Sequence, residues 1–336
     1  MSVIYGPVPS WRLGRSLGVD VIEPPKKCTF NCIYCQLGRT VVHVPDPEGL
    51  KEPLVSPSRV LQDLDEVLER IEFETVDTVT FSGCGEPTLN LNLGEIAEGV
   101  RSRIGSKPMT VLTNASLVHR ADIRRNLIPF DLVVAKLDAG GDETLRMINR
   151  PADEHLSVGL IVDSIKVLKR EITGRVALEV MLLDSADESN SNVRGENLKE
   201  LSNAILEVEP DLVQLEVPYR PPSESYVKQP PQELVRKIHR NLSDHLGEDR
   251  VWAYGVRSRK VRGVAWFRHR SVEGEVLDLL KRRPCRAIDI SISLGLDLDT
   301  VQKALESLRG KGEIEVLVRN GEEYNSVSKR QQPDTF

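Results

Sequence analysis

The chain has 336 residues, of which 40% are hydrophobic and 29% charged, and its net charge is −6. This composition argues against disorder, and the length suffices for a barrel-sized core with an appended module. The opening stretch MSVIYGPVPSW has no basic segment followed by an apolar run, and no long apolar run follows, so we expect a cytoplasmic protein with no membrane partner. Five cysteines, three of them clustered, fit metal ligands in a reducing compartment better than a disulfide framework.

Short apolar runs alternate with helix-period segments up to about residue 255. We predict strands over 17–23, 77–83, 109–115, 131–139, 176–183 and 212–219. We predict amphipathic helices over 57–70, 92–104, 119–127, 157–171, 194–207 and 231–245. The alternation indicates parallel crossovers, and a partial or closed (β/α) barrel and an open doubly wound sheet both fit it. Either fold places functional residues at the carboxyl ends of the strands.

A basic stretch follows the last predicted strand and helix. Residues 256–270 contain no acid and interleave Trp266 and Phe267 with cations. The cations are Arg257, Arg259, Lys260, Arg262, Arg268 and Arg270. We predict a linker that either touches RNA or docks on the acidic remainder of the chain.

The C-terminal segment predicts helices over 272–283, 286–295 and 298–312 and a two-stranded wing over 313–327, which is the element order of a winged helix. The predicted division is a barrel domain over 1–255, the linker over 256–270, a winged-helix domain over 271–327 and a tail over 328–336. From residue 271 onward, ten Lys and Arg stand against twelve Asp and Glu. This balance favours docking of a protein or substrate over binding of nucleic acid.

Three cysteines, Cys28, Cys32 and Cys35, lie in the stretch PPKKCTFNCIYCQLG directly after the first predicted strand. Three thiolates can hold three irons of a [4Fe–4S] cluster and leave the fourth iron open to a small molecule. The alternative is a zinc site completed by a histidine such as His43. Cys84 and Cys285 are distant in sequence, so neither is an obvious fourth ligand.

The C-x3-C-x2-C spacing, with Tyr34 before the last cysteine, resembles the radical S-adenosylmethionine (SAM) superfamily. The resemblance implies a partial (β/α)6 barrel and one [4Fe–4S] cluster whose open iron binds SAM. It further implies that the reduced cluster cleaves SAM to a 5′-deoxyadenosyl radical that abstracts hydrogen, with an electron donor such as ferredoxin or flavodoxin. Gly83, Gly85, Glu86 and Pro87 in SGCGEPTLN align with the family's Gly-Gly-Glu-Pro-like element, which binds the methionine amino group.

Polar residues at later strand ends are further cofactor-binding candidates. Asn114 and Asp138 occupy positions where barrel members of the family place ribose and carboxylate contacts, although each also suits a helix cap. Lys136 lies in an apolar strand, so its ammonium should meet a carboxylate or an anionic ligand. Thr113 and Glu179 are weaker candidates of the same kind.

Several segments between about residues 4 and 245 also resemble the radical enzymes grouped with archaeal wyosine-type tRNA synthases; these are YGPVPSWRLGRS, FSGCGEPTL, INRP, LEVMLL and QLEVPYRPPSE. Two positions depart from that pattern, since Trp11 replaces an expected Arg and Cys84 an expected Asn. The segment before Cys28 contains no cysteine for a second cluster, so the resemblance implies a single-cluster member and leaves its substrate open.

Arg220, between Tyr219 and two prolines, is a substrate candidate because a fixed guanidinium at a barrel mouth suits a carboxylate or phosphate. A surface ion pair is the alternative. Arg12 and Arg15 either join this anion site or pack at the open edge of the barrel. Three hypotheses follow: a radical SAM enzyme acting on RNA or protein, with no residue assigned as catalytic; an iron–sulfur redox-sensing regulator acting through the winged helix; and a zinc-stabilised scaffold.

Overall fold

The computed structural model describes residues 2–257, 271–319 and 321–328. Its strands are β1 (Ile4–Ser10), β2 (Gly14–Asp20), β3 (Lys27–Cys28), β4 (Val42–His43), β5 (Thr78–Ser82), β6 (Met109–Thr113), β7 (Leu132–Lys136), β8 (Arg175–Met181), β9 (Leu212–Glu216), β10 (Val251–Ala253), β11 (Ile314–Arg319) and β12 (Glu322–Val327). Its α-helices are α1 (Pro57–Leu68), α2 (Leu93–Ile104), α3 (Ala121–Leu127), α4 (Asp142–Ile148), α5 (Val158–Glu171), α6 (Gly195–Val208), α7 (Gln232–Leu246), α8 (Val272–Leu280), α9 (Ala287–Leu294) and α10 (Leu298–Gly310).

Local sequence signals explain where the crossover helices begin. The Ser56 hydroxyl accepts a hydrogen bond from the Arg59 amide at 3.3 Å, and Pro57 occupies the first turn of α1. The Ser157 hydroxyl caps α5 in the same way through the Leu160 amide at 3.1 Å. Strand β5 is buried at every position from Thr78 to Phe81, so both of its faces are covered.

One sheet, in the order β1-β2-β5-β6-β7-β8-β9-β10, forms the main body. Neighbouring strands from β2 to β10 are parallel, whereas β1 pairs with β2 in antiparallel fashion. In a flat sheet, β2 and β9 would lie about 24 Å apart at roughly 4.8 Å per strand. Arg12, in the turn between β1 and β2, nevertheless reaches Glu216 of β9 at 3.1 Å. The sheet is therefore curled into a half barrel, which excludes the open doubly wound alternative.

The six predicted strands and six predicted crossover helices are confirmed to within a few residues. The sheet is nevertheless wider than predicted, because β1 and β10 join its two edges. β1 was not predicted because its sequence, IYGPVPS, contains two prolines, which argue against a strand inside a sheet. The strand forms because proline is tolerated at a sheet edge. β10 has three residues, too few for a periodic signal, and the seven-residue helix α4 was missed for the same reason.

The C-terminal module, residues 271–328, contains α8, α9, α10 and the hairpin β11–β12 at the predicted places. Its core is built around Val276, Ile290, Val301 and Leu305, and it also includes Val8 of β1. Whether the module is a winged helix, and where its boundaries lie, remain predictions. Of the predicted basic linker, residues 258–270 lie outside the described residues. None of the described helices is both long and apolar enough to cross a membrane.

Candidate functional site

The loop that carries the three cysteines leaves the carboxyl end of β2 and is held by the end of α4. The Asn31 amide donates to the Asn149 carbonyl at 2.9 Å, and the Ile33 amide donates to the Ile148 carbonyl at 3.0 Å. Phe30 and Ile33 are buried in the main core, which fixes the loop from below. These contacts give the INRP segment a structural role, because it anchors the cysteine loop.

The three thiols share a polar environment that contains a buried cation. Cys28 and Cys32 are buried and Cys35 is partly exposed. Burial lowers the pKa of Lys26 because it disfavours the charged form. The nearby Cys35, Cys28 and Cys32 have the opposite and larger effect, so the pKa of Lys26 is raised. The Lys26 ammonium also donates to the Gly38 carbonyl at 2.7 Å. Sequence reasoning overlooked Lys26, although a lysine two residues before the first cysteine was a visible signal.

Further donors point at the sulfur atoms. The Phe30 amide lies 3.4 Å from Cys28 Sγ, and the Asn114 side-chain amide lies 3.6 Å from the same atom. The Asn149 side-chain amide lies 3.5 Å from Cys32 Sγ. Together with Lys26, these donors suit thiolates that carry negative charge, as cluster ligands do. The residues present therefore fit an iron–sulfur cluster.

A single-ion metal site has different requirements. In the described ranges, no three His, Cys, Asp or Glu side chains converge as they must to hold one metal ion. A cubane cluster instead presents a separate iron to each thiolate. Burial, followed by the neighbouring Cys35, raises the pKa of Cys32 to about 11, so ligation would have to displace a proton from that thiol.

The glycine-rich turn after β5 packs directly against the cysteine loop. The Lys27 amide donates to the Cys84 carbonyl at 3.0 Å, and the Glu86 amide donates to the Lys27 carbonyl at 3.0 Å. Gly85 has a φ of +146°, and a Cβ atom there would lie 1.5 Å from the Lys27 carbonyl oxygen. Only glycine fits this position. Pro87 then begins a short 3-10 segment over Pro87–Leu89.

Glu86 is buried and accepts four hydrogen bonds. Its Oε1 atom receives the Thr113 hydroxyl at 2.6 Å and both the amide and the hydroxyl of Thr88 at 3.0 and 2.7 Å. Its Oε2 atom receives the Asn114 amide at 2.6 Å. Burial raises the pKa of Glu86, and these hydrogen bonds oppose that rise. Oε2, with one bond, retains capacity for a further donor such as an ammonium.

The side chains of Asp138 and Asn114 form hydrogen bonds with the cysteine loop and do not cap helices. The N-cap of α3 is Arg120 and that of α4 is Gly141, so the helix-cap alternatives are wrong. Asp138 Oδ2 accepts from the Tyr34 hydroxyl and from the Asn149 side chain, the latter at 2.8 Å. Asn114 donates to the Thr29 hydroxyl at 2.7 Å. Both residues thus connect strand ends to the cysteine loop.

A buried ion-pair network occupies the inner face of the half barrel. The Lys136 ammonium lies 2.7 Å from Glu179 Oε1, which confirms the prediction that it meets a carboxylate. Arg12 pairs with the other oxygen of Glu179, and its Nε lies 3.1 Å from Glu216 Oε1. Burial opposes the charge of Glu179, but Arg12 and Lys136 hold its pKa well below the ordinary value. Trp11, at the position where Arg was expected, donates to Glu216 at 3.0 Å.

A cavity of about 370 Å³ opens beside these groups, a size typical of small-molecule sites. Its wall includes Arg12, Asp20, Tyr34, Cys35, the turn over 83–85, Pro87, Lys136, Glu179, Glu216, Tyr219, Arg220 and, from the C-terminal module, Lys281, Arg282 and Arg283. Cys28, Cys32, Glu86, Asn114 and Asp138 are buried and do not line it. Of the predicted site residues, those that line the cavity are Arg12, Tyr34, Cys35, Gly83, Gly85, Pro87, Lys136 and Arg220.

Cys84 also lines this cavity. Burial, Asp20 and the neighbouring Cys35 raise the pKa of its thiol to about 11. The fold thus brings a fourth thiol into the neighbourhood of the cysteine loop, which its distance in sequence concealed. Cys285 instead belongs to the core of the C-terminal module.

Arg220 and Arg15 have different surroundings. Arg220 donates to Gln36 at 3.1 Å and stacks 4.5 Å from the centre of the Tyr219 ring. The alternative considered for Arg220, a surface ion pair, does not form among the described residues. Arg15 does form one, with Asp77 at 3.2 Å.

The sequence of this chain matches those of known proteins. Residues 22–185, which include the three cysteines and the glycine-rich turn, match the family model of the Radical SAM superfamily. A UPF0026 protein of Methanocaldococcus jannaschii is 32% identical over 288 residues, which are 85% of this chain and 84% of that protein. A UPF0026 protein of Synechocystis is 38% identical over 218 residues, which are 65% of this chain and 76% of that protein.

Among solved structures, Streptococcus suis SuiB bound to S-adenosylmethionine aligns with a TM-score of 0.48 at 13% identity, over 71% of this chain and 51% of that one. The family assignment rests on the sequence matches. The chain belongs to the UPF0026 family and carries a domain of the radical SAM superfamily, whose members bind a [4Fe–4S] cluster and SAM.

Proposed function

We propose that this protein is a radical SAM enzyme that abstracts a hydrogen atom from a substrate bound in the cavity of the half barrel. One observation carries the proposal: the cysteine loop and the glycine-rich turn are joined by two backbone hydrogen bonds at Lys27, beside a cavity of about 370 Å³. A redox-sensing regulator would need the cysteine loop but not a turn shaped to approach a ligand. The chain has both features.

Cys28, Cys32 and Cys35 would hold the cluster, and the turn over 83–87 would hold the methionine part of SAM. The cluster, when bound and reduced, supplies the electron that cleaves SAM and generates the hydrogen-abstracting radical. Tyr34, Asn114, Lys136 and Asp138 are proposed to bind other parts of SAM.

The chain's own residues prepare this site for charge. Lys26 places a buried ammonium among the three thiols, which favours their deprotonated form. Tyr34 and Asn149 hold the Asp138 carboxylate in one orientation. The C-terminal module contributes Lys281, Arg282 and Arg283 to the wall of the cavity, where they add positive charge.

The partners are proposals of the same kind. Radical SAM enzymes require a reductant, and we propose ferredoxin or flavodoxin for this role. RNA or protein is proposed as the macromolecular substrate. The wyosine-type grouping remains a hypothesis, and a second cluster of the kind those synthases use has no cysteines before Cys28.

The test is anaerobic reconstitution with iron and sulfide, followed by incubation with dithionite and SAM. We expect one [4Fe–4S] cluster per chain and formation of 5′-deoxyadenosine. A cluster that forms without any cleavage of SAM would favour the regulator instead. Loading with zinc and no iron would favour the scaffold.

The variant Glu86→Gln tests the turn. We expect the cluster to remain while SAM binds roughly ten- to a hundredfold more weakly, because one charge-assisted hydrogen bond of about 1.5–3 kcal/mol is lost. Calorimetric titration of the loaded protein measures the affinity, and iron content serves as the control. Unchanged affinity would contradict the role proposed for Glu86.

A further inference from the structure

Among the described residues, two arginines in the wall of the cavity have no carboxylate partner. The Nε atoms of Arg220 and Arg283 are buried without a hydrogen-bond acceptor, and neither guanidinium forms an ion pair within the described residues. Their neighbours differ in that they form ion pairs, Arg12 with Glu179 and Glu216 and Arg282 with Asp20 at 2.8 Å. An unpaired guanidinium in a buried position is unfavourable unless a ligand supplies the missing charge.

The two arginines come from different parts of the chain but act on the same neighbours. Arg220 follows β9 of the half barrel, whereas Arg283 follows α8 of the C-terminal module. Burial raises the pKa of Tyr219 and that of Cys285, and both guanidinia oppose the rise in each case. Both arginines line the same cavity, and they meet there because the module docks on the barrel.

Named contacts hold this docking in place. The Tyr324 hydroxyl donates to the Tyr219 carbonyl at 2.8 Å, directly before Arg220. Arg319 donates to the Val227 carbonyl at 3.0 Å. Arg282, directly before Arg283, donates to Asp20 at 2.8 Å. Both arginines are thus positioned by neighbours in sequence that are fixed to the opposite part of the molecule.

The cavity is electropositive although the chain carries a net charge of −6. Six Lys and Arg residues but only three Asp and Glu residues line it. All three acids, Asp20, Glu179 and Glu216, already have cationic partners. Asp289 is the acid outside the lining that acts on Arg220, and Arg286 already holds it at 2.9 Å. Residues 258–270 contain no acid that would neutralise the two arginines.

We infer that Arg220 and Arg283 together bind a phosphate group of the substrate, an assignment that rests on the function proposed above. The planar guanidinium presents paired donors that match phosphate oxygens, and two of them match its double charge. The Tyr219 ring, 4.5 Å from the Arg220 guanidinium, fixes its plane before the ligand arrives. Of the two macromolecules proposed above, this chemistry favours RNA over an unmodified protein.

The experiment measures phosphate binding directly on the full-length, cluster-loaded protein. Inorganic phosphate is titrated by calorimetry into the wild type, Arg220→Gln, Arg283→Gln and the double variant. We expect affinity to fall roughly tenfold for each guanidinium removed. Arg236→Gln, on the exposed face of α7, loses the same charge away from the cavity and should bind phosphate as the wild type does.

Three further measurements test whether the site is specific for phosphate and which kind of molecule carries that phosphate. Arg220→Lys should recover only part of the affinity, because an ammonium lacks the planar pair of donors. Malonate should bind more weakly than phosphate if the site is shaped for phosphate. Displacement of bound phosphate by a short single-stranded RNA identifies a nucleic acid as the source, whereas displacement by glycerol phosphate alone identifies a small molecule.

SAM affinity and 5′-deoxyadenosine formation are measured on the same samples. Loss of phosphate binding with SAM affinity unchanged supports the inference. If SAM affinity falls in parallel, the two arginines serve the SAM carboxylate and the inference is overturned. Phosphate binding that survives in the double variant overturns it as well, whatever happens to SAM. A wild type that binds phosphate but never cleaves SAM overturns the proposed function, and with it the assignment of this phosphate to a substrate.

Discussion

Glu179 is the residue on which the charge balance inside the half barrel depends. It lies between Lys136, at 2.7 Å, and Arg12, and the side chains of this cluster are 12 to 16% exposed. Loss of its charge would leave two largely buried cations with the remaining acids, Glu216 beside Arg12 and Asp138 at 3.6 Å from Lys136. Breaking a buried pair in this way is far more destabilising than deleting a surface pair.

We therefore expect Glu179→Gln to lower the free energy of unfolding by about 3–5 kcal/mol. Urea unfolding of the wild type and variant measures the difference. Glu196→Gln is the matched control, because Glu196 forms an exposed pair with Lys199, and its effect should stay within about 0.5 kcal/mol. Equal effects in the two variants would show that the network contributes nothing.

The same residue predicts a dependence on pH. Because the folded pKa of Glu179 lies below its ordinary value of 4.5, the contribution of its charge is complete above pH 4.5 and is lost as the pH falls below it. The melting temperature of the wild type should fall more steeply below pH 4.5 than that of Glu179→Gln. Parallel curves would contradict the depressed pKa.

The cysteines allow a second prediction at this scale. Replacement of Cys28, Cys32 or Cys35 by Ala should abolish the cluster, whereas Cys84→Ala and Cys285→Ala should retain it. Cys84 is the stringent control, since its thiol lies near Cys35 in the fold. Iron analysis and the visible absorption of the reconstituted proteins decide the matter. Loss of the cluster in Cys84→Ala would make Cys84 a ligand and leave no iron open for SAM.

Among the elements, the joint between the cysteine loop and the glycine-rich turn is the most constrained. Gly85→Ala would place Cβ 1.5 Å from the Lys27 carbonyl oxygen, and only a backbone shift can relieve that contact. We expect destabilisation by more than about 1–3 kcal/mol together with loss of SAM binding. Thermal unfolding and SAM titration measure the two effects.

The control for Gly85→Ala is Gly159→Ala in α5. A Cβ atom at Gly159 would meet only the Ser157 hydroxyl, at 4.0 Å. That substitution should be neutral or stabilising, because Ala favours the helix. If the two variants unfold alike, the joint at Lys27 is not a constraint.

The elements also show what the sequence can predict. Periodicity located the six parallel strands because each is a run of buried β-branched and apolar residues. The two cofactor motifs were also visible, because each of them is one continuous segment of the sequence. The sequence did not reveal that Asn149, which directly follows the seven-residue helix α4, contacts both Cys32 and Asp138. Nor did it reveal that Arg220 and Arg283 line the same cavity, which depends on two distant segments meeting in space.

At the scale of the whole molecule, Arg282 joins the C-terminal module to the half barrel. Its guanidinium donates to Asp20 at 2.8 Å and to the Ser2 carbonyl at 2.7 Å, and it stacks 4.5 Å from the centre of the Tyr5 ring. The side chains of Arg282 and Asp20 are 11% and 14% exposed. The module is thus packed on the barrel through direct side-chain contacts and is not connected to it by the linker alone.

Arg282→Gln should lower the free energy of unfolding by about 3 kcal/mol, because Asp20 would keep its charge without a partner. Adding Asp20→Asn should restore part of the lost free energy of unfolding, since it removes the unpaired charge of Asp20. Chemical unfolding of the two single variants and the double variant measures the coupling. Strictly additive losses would show that the pair does not join the two parts.

Val8 of β1 lies in the core of the C-terminal module, and Ser2 and Arg282 are 280 positions apart in the chain. During synthesis at roughly 5–20 residues per second, about 14–56 s separate the emergence of these two segments from the ribosome. Throughout that interval Val8 lacks the side chains of the module that bury it, even after the sheet behind it has formed. We therefore expect ribosome-bound nascent chains to present an apolar strand edge to chaperones until the last helices are made.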